Sequence, residues 1–553
     1  MPGEDLAAEL LATVLQADPL SASLYGIPGY DDLLPDFDRE AETDYGQRLS
    51  SIAGRAEQTP EAGLGETELQ TLDFVRCLAR GLADAAQVPL IEFTISDTFA
   101  APVGAVLSSL PKVPLDTEER RVAYVTRLRG LADTLASAAR RHVEGVRAGR
   151  TAVSRLVESA LAQLDLMLED PALGALARTD TEAAGAIAET VSVAIEEHAR
   201  PALAAYRDAL RTAVLPSARD DDHPGICYLP DGEAMYRALA RLHTSMSYSP
   251  DELHAMGRET VAQVREEIVE TGARLFGTTD VRGIFDRLSN DPSLRYRDRA
   301  EMLEHARRVV ATAEAEAPKW FATVPDIPCT VAPVPEVEEA GMTTAYYMPG
   351  ALDGSRSGTY YLNTSQPEKR HRYAAEDIAF HEAVPGHHFQ LTIALESADL
   401  APARQVLFDT ACAEGWGLYS ERLADEMGLY SGDLARMGLF VADSWRASRL
   451  VVDTGLHALG WRRAEAIDYL AEHTPLPRLE IEAEIDRYIS FPGQALAYMV
   501  GRREIVRLRT SAAESLGERF DLREFHDLLL RVGMLPLPAL ARTVERWVHS
   551  FEA

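Results

Sequence analysis

Apolar residues recur at three- and four-residue spacing through most of the chain, which predicts amphipathic helices. From residue 118 to about 215 the chain is rich in Ala, Leu, Arg and Glu and poor in Gly and Pro, so several long helices are expected. A loop follows at Asp220-Asp221-Asp222-His223-Pro224-Gly225, and helix resumes near Asp231. Ser249-Pro250-Asp251-Glu252 marks a helix start, with serine as cap, proline in the first position and acids in the first turn. Between Pro325 and Pro367 the texture changes to prolines, glycines and β-favouring residues. Thr359-Tyr360-Tyr361-Leu362-Asn363 is the strand candidate there, with Tyr360 and Leu362 on one face and Tyr361 on the other. Helical patterns return from Glu376 to the end, broken at Pro385-Gly386, around 475–477, at Pro492-Gly493 and near 536–538. The pattern therefore predicts a mainly α, large multi-helix fold with one small β insertion. Two helical lobes are expected, 1–240 and 241–553, the second containing the β segment (about 325–367), unless they form one continuous unit.

Composition adds little, since 46% hydrophobic and 26% charged residues are ordinary for a globular chain. Charge adds more. A net charge of −32 repels phosphate backbones and anionic headgroups, so neither nucleic acid nor membrane is an expected partner. Cys77, Cys227, Cys329 and Cys412 lie far apart and form no CxxC pair, so reduced, mostly buried thiols are expected. The N-terminal stretch MPGEDLAAELLATVLQADPL lacks the basic region and long apolar run of a signal peptide, and no apolar run approaches the roughly 20 residues of a membrane span. A cytoplasmic location is the expectation; nothing in the sequence sets an oligomeric state.

The candidate chemistry is concentrated in His381-Glu382-Ala383-Val384-Pro385-Gly386-His387-His388. A hydrolytic zinc site needs about three nitrogen or carboxylate ligands, an open position for water, and a carboxylate to take the water's proton. His381 and Glu382 offer one ligand and that base. The familiar spacing places the second histidine at i+4, but here that position is Pro385. In a straight helix i+6 points about 240° around, and i+7 lies about 10.5 Å further along. Zinc–nitrogen bonds are only about 2.0–2.1 Å, so the helix must deform for either histidine to join His381. Pro385 removes a helical hydrogen bond and Gly386 permits unusual angles, so a bulge or turn there is expected to return His387 to the metal side. His388 is the alternative, at the cost of a larger distortion.

A second helix, from about 406 to 427, supplies the third ligand. Its acids Glu414, Glu421 and Asp425 share one flank, whereas Asp409 points elsewhere. Glu414 lies among Ala411, Ala413, Gly415, Trp416 and Gly417, where a carboxylate is partly buried and in need of a cation. Mid-helix glycines cost roughly 1 kcal/mol each, which indicates close approach of another backbone or a ligand. Asp409, Glu421 and Asp425 read as surface acids of an amphipathic helix.

HEAVPGHHFQ and the EGWGLYSE stretch from Glu414 to Glu421 resemble the bacterial domain-of-unknown-function 885 family. The resemblance extends to GICYLPDGEAMYRALARLHTSMSYSPDELHAMG and YISFPGQALAYMVGRREI, and so covers most of the chain. It implies kinship with gluzincin metallopeptidases, helical enzymes with a deep substrate cleft. Those enzymes bind Zn2+ through two histidines and a downstream glutamate, with the first motif glutamate as general base. Carried over, the roles fall on His381, His387 or His388, Glu414 and Glu382. A late-helix tyrosine often serves such enzymes as oxyanion donor; Tyr498 matches, with Gln494 and Arg502 on the same side of its helix. Arg502 and Arg503 read as solvating that helix. By the same likeness the strand before the metal helix is an edge strand able to hold an extended peptide.

The expected function is a zinc-dependent hydrolase, most simply a metallopeptidase acting on peptides. The alternatives are hydrolysis of a non-peptide amide or ester, and a non-catalytic helical binding protein with a degenerate site. No Gly-x-Ser-x-Gly elbow occurs and Cys412 has no local histidine, so serine and cysteine hydrolases are disfavoured.

Overall fold

Helix ends follow their local signals closely. In the computed structural model, which describes residues 2–178, 185–336, 339, 344–352, 354 and 356–551, Thr117 caps α1 (Glu118–Arg147) by accepting from Arg120 N at 3.2 Å. Ser249 caps α2 (Pro250–Phe276): its hydroxyl accepts from Glu252 N, and the Glu252 carboxylate returns to Ser249 N at 2.8 Å. Gly277 ends α2 in the left-handed region, φ 69°, where a Cβ is strained.

The β insertion is a three-stranded sheet of β1 (Thr330–Pro333), β2 (Ala345–Met348) and β3 (Thr359–Leu362), in the order β1-β3-β2. β3 pairs parallel with β1 and antiparallel with β2. It is therefore the central strand, which corrects the expectation of an edge: both rows of its backbone hydrogen bonds are spent inside the sheet. The alternation itself holds. Tyr360 and Leu362 are buried, and Tyr361 stacks on Tyr346 on the other face.

The remainder of the second half is helical. The helices that matter below are α3 (Ala375–Glu382), α4 (His387–Glu396), α5 (Thr410–Glu426), α6 (Asp433–His457), α7 (Arg478–Ser490) and α8 (Ala497–Leu516). One core cluster joins early residues such as Leu10, Leu49 and Phe74 to Phe380, Trp416 and Phe525. A second is built from α1 and its neighbours, through Leu128, Leu135, Val157, Leu203 and Leu210. The protein is thus mainly α, with one small sheet just ahead of α3. Among the described residues no helix is long and apolar enough to cross a membrane. The four cysteines are free, but only Cys412 is fully buried; the other three are half-exposed, short of the burial expected for them.

The glycines of α5 are explained by a backbone contact. A methyl group on Gly415 would lie 2.4 Å from the Gly501 backbone, and one on Gly501 would lie 1.9 Å from the Ala411 carbonyl oxygen. α5 and α8 therefore cross with their main chains touching. An exposed Gly→Ala change within a helix stabilises by about 1 kcal/mol. Gly501→Ala is expected to do the reverse, costing about 1–3 kcal/mol through overpacking. A thermal midpoint equal to or above the wild type's would show that the crossing is looser than described.

Candidate metal centre

α3 carries His381 in its last turn, and α4 opens on His387. The chain between them, 383–386, is a turn in which the Val384–Pro385 peptide is cis. The deformation at Pro385-Gly386 is a complete break: one helix ends and another begins. A methyl on Gly386 would sit 1.9 Å from the His381 carbonyl oxygen, so only glycine lets the chain fold back this tightly. α5 satisfies carbonyls around the break. Trp416 Nε1 donates to Pro385 O at 2.9 Å and the Ser420 hydroxyl to Phe380 O at 3.2 Å.

The turn brings His387 beside His381. Their rings meet edge to face with centroids 4.7 Å apart, and their Nε2 atoms lie 3.6 and 3.5 Å from Glu414 Oε2 on α5. One ligand atom from each of His381, His387 and Glu414 falls within 4.8 Å of the other two. Such a group could hold a metal ion. Gly417 makes the approach possible, because a methyl there would lie 2.5 Å from the His381 ring.

On its far side His381 Nδ1 donates to Glu421 Oε1 at 2.7 Å, which leaves Nε2 as the nitrogen facing Glu414. Glu421 is fully buried, its second oxygen has no hydrogen-bond partner among the described residues, and Arg446 stands 4.0 Å from the first. Burial and Glu421 together push the Asp377 carboxyl far up, and Tyr430 Oη donates to it at 3.0 Å. Burial would lower the His381 pKa, but Glu414 and Glu421 raise it to about 10. Burial would likewise raise Glu414, yet the two histidines hold it well below the usual carboxylate range. Three acids thus converge on two histidines and Arg446, and His387 Nδ1 is also buried, with no hydrogen-bond partner among the described residues. A cation is what such a donor set accommodates.

A family model described as bacterial protein of unknown function, DUF885, matches residues 19–544. The chain belongs to this family. The solved structure of a "putative lipoprotein" from Colwellia psychrerythraea aligns over 100% of both chains, with TM-score 0.91 and 26% identity. A second, a "putative lipoprotein of unknown function" from Shewanella oneidensis, covers 98% of this chain and 99% of that one, with TM-score 0.75 and 18% identity. The latter likeness is one of fold alone. No curated protein matches the chain.

In this DUF885 protein the other candidate residues fall as follows. Glu382 ends α3, half-exposed, and among the described residues its carboxylate makes no hydrogen bond or ion pair. Tyr498 opens α8 and stacks on His381, with ring centroids 6.4 Å apart and planes 19° from parallel. Burial and Glu414 raise the Tyr498 pKa, so its hydroxyl keeps its proton at neutral pH. His388 faces elsewhere: Nδ1 meets Tyr347 Oη and Nε2 meets Ile327 O, each at 3.0 Å.

Three surface readings need correction. Glu421 is no surface acid, because the packing of α3 on α5 covers it and gives it His381 as partner. Asp409 is buried at the head of α5, where it accepts from Cys412 N at 2.8 Å and from Ser245 Oγ at 2.7 Å; burial raises its pKa to about 7. Arg502 does not solvate its helix. It pairs with Asp443, a fully buried acid that Arg422 also engages. Asp425 does lie near the surface, bound to Arg436, and Arg503 is exposed. Of the residues that sequence reasoning undervalued, Glu421 had a visible signal: it shares a flank with Glu414 two turns away.

Proposed function

We propose that this DUF885 protein is a zinc-dependent hydrolase, and specifically a metallopeptidase cleaving peptides. The observation that carries the reading is the convergence of His381, His387 and Glu414 within 4.8 Å. Two imidazoles and a carboxylate from three turns of helix are the donor set of a catalytic zinc site with an open position. A zinc ion bound there supplies a Lewis acid and lowers the pKa of water to near neutrality.

The chain's own groups then divide the work. Glu382, adjacent to His381 and without a hydrogen bond or ion pair among the described residues, accepts the proton of the attacking water and returns it to the leaving amine. Tyr498, kept protonated by its surroundings, donates to the oxygen that gains charge at the scissile carbon. Glu421 holds His381 in the tautomer that presents Nε2.

The test is zinc titration by calorimetry, followed by digestion of a defined peptide mixture with and without a chelator. One equivalent of zinc should bind, and cleavage should vanish with the chelator. Absence of zinc uptake would end the proposal. Glu421→Gln is expected to weaken zinc affinity about 10–100-fold, as loss of an outer-shell partner usually does. An affinity unchanged in competition with a chromophoric chelator would remove Glu421 from that role.

A further inference from the structure

Next to Tyr498 the fold buries a guanidinium with an open donor. Arg449 on α6 places its guanidinium carbon 4.4 Å from the centroid of the Tyr498 ring, the same ring that stacks on His381. Arg449 is only 4% exposed. Its Nε donates to Tyr488 Oη at 2.8 Å and one terminal nitrogen to Glu484 at 3.2 Å. The other terminal nitrogen is buried and, among the described residues, has no hydrogen-bond partner.

The neighbouring groups do not supply the missing acceptor. Arg487, also on α7, binds the same Glu484 at 3.0 Å and gives its remaining terminal nitrogen to Gln494 at 2.9 Å. Tyr488 Oη points its own proton at Glu484, at 2.6 Å. Two guanidiniums therefore share one carboxylate. Asp453, another acid near Arg487, is taken up by Tyr236 Oη at 2.6 Å and by Gly493 N. Glu414, close enough to act on Tyr498, is held by the two histidines. A buried guanidinium with an open donor is costly to the fold unless an anion completes it. Its one open terminal nitrogen suits an anionic acceptor such as a carboxylate oxygen, because a charge-assisted hydrogen bond is stronger than a neutral one.

We infer that Arg449, supported by Arg487, is the recognition point for a carboxylate on the substrate, close to the bond that is cleaved. Tyr498 packs against both Arg449 and His381, so a group bound by Arg449 lies on the Tyr498 side of the metal centre. The substrate class is then a short peptide presenting either its own C-terminal carboxylate or an acidic side chain near the scissile position. The inference rests on the hydrolase reading for the word substrate; the carboxylate site itself rests on the open donor of Arg449.

Binding to the full chain, measured by calorimetry with and without zinc, tests it. The probes are N-acetyl-Ala-Ala as the free acid, the same peptide as its C-terminal amide, and N-acetyl-Ala-Asp as its amide. The free acid should bind at least about tenfold more tightly than its amide, the scale of one charge-assisted hydrogen bond. Tight binding of the Asp amide would assign the preference to a side chain; weak binding would assign it to the chain terminus. In Arg449→Gln and in Arg487→Gln the gap between acid and amide should narrow, each variant being checked for folding by circular dichroism. Equal affinity of all three probes for the wild type overturns the inference, as does undetectable binding of both acidic probes at millimolar concentration, whatever the variants do. A protein that discriminates acid from amide yet takes up no zinc would refute the hydrolase reading and leave the carboxylate site standing. Zinc uptake without discrimination would do the opposite.

Discussion

Replacing Glu382 by glutamine is expected to lower kcat by about 10²–10⁴-fold while leaving zinc uptake at one equivalent. The exchange is isosteric, and Glu382 is outside the His381, His387 and Glu414 group, so no metal-binding atom is removed. What disappears is the capacity to accept a proton. Glu382 suits that task because its carboxylate is half-exposed at the end of α3 and, among the described residues, bound to nothing. Glu414 and Glu421 could not substitute, since each is held by histidine nitrogen. Steady-state cleavage of a peptide found in the digest, with metal content measured on the same sample, decides the matter. Wild-type turnover in the zinc-loaded variant would remove Glu382 from the chemistry.

The second large effect concerns the ligands. His387→Ala and Glu414→Ala should each abolish stoichiometric zinc binding, because two remaining donors fall short of the three that hold a catalytic zinc. His388→Ala is the control. Both of its ring nitrogens are already engaged, by Tyr347 and by the Ile327 carbonyl, so its loss should leave zinc uptake intact. Metal analysis after dialysis against zinc reads all three variants. The reverse pattern, zinc lost with His388 and kept without His387, would overturn the proposed ligand set.

Arg449 and the buried network behind it bear on what such an enzyme would cut. The metal ligands and Glu382 are agnostic about substrate, since the same groups serve any amide or ester. Selectivity has to come from groups further out. A buried guanidinium with one open donor, packed on the Tyr498 ring that also stacks on His381, is the feature of this site with an evident chemical preference.

Much of the helical architecture was legible residue by residue. Ser249 to Glu252 announced a cap, and a capping box is there. The glycines of EGWGLYSE announced a close approach, and Gly415 meets the Gly501 backbone while Gly417 meets the His381 ring. Pro385-Gly386 announced a break between His381 and His387, and α3 ends just before it. These signals act within a few residues, through hydrogen bonds, φ restriction and the bulk of one Cβ, so a linear reading can weigh them.

What the sequence by itself determined about the His-Glu-Ala-Val-Pro-Gly-His-His segment is that a straight helix cannot serve it. Tertiary structure alone decided what surrounds the break. It places Glu421 against His381, 40 residues apart in sequence, and turns an apparent surface acid into a fully buried one. It puts β3 in the middle of its sheet, though nothing in Thr359–Leu362 distinguishes a centre strand from an edge. It also gathers Arg449, Arg487 and Tyr498 from three helices around one unshared donor. Burial and pairing of charge depend on which distant helices pack together, and that free energy is set by the assembled core, not by neighbours along the chain.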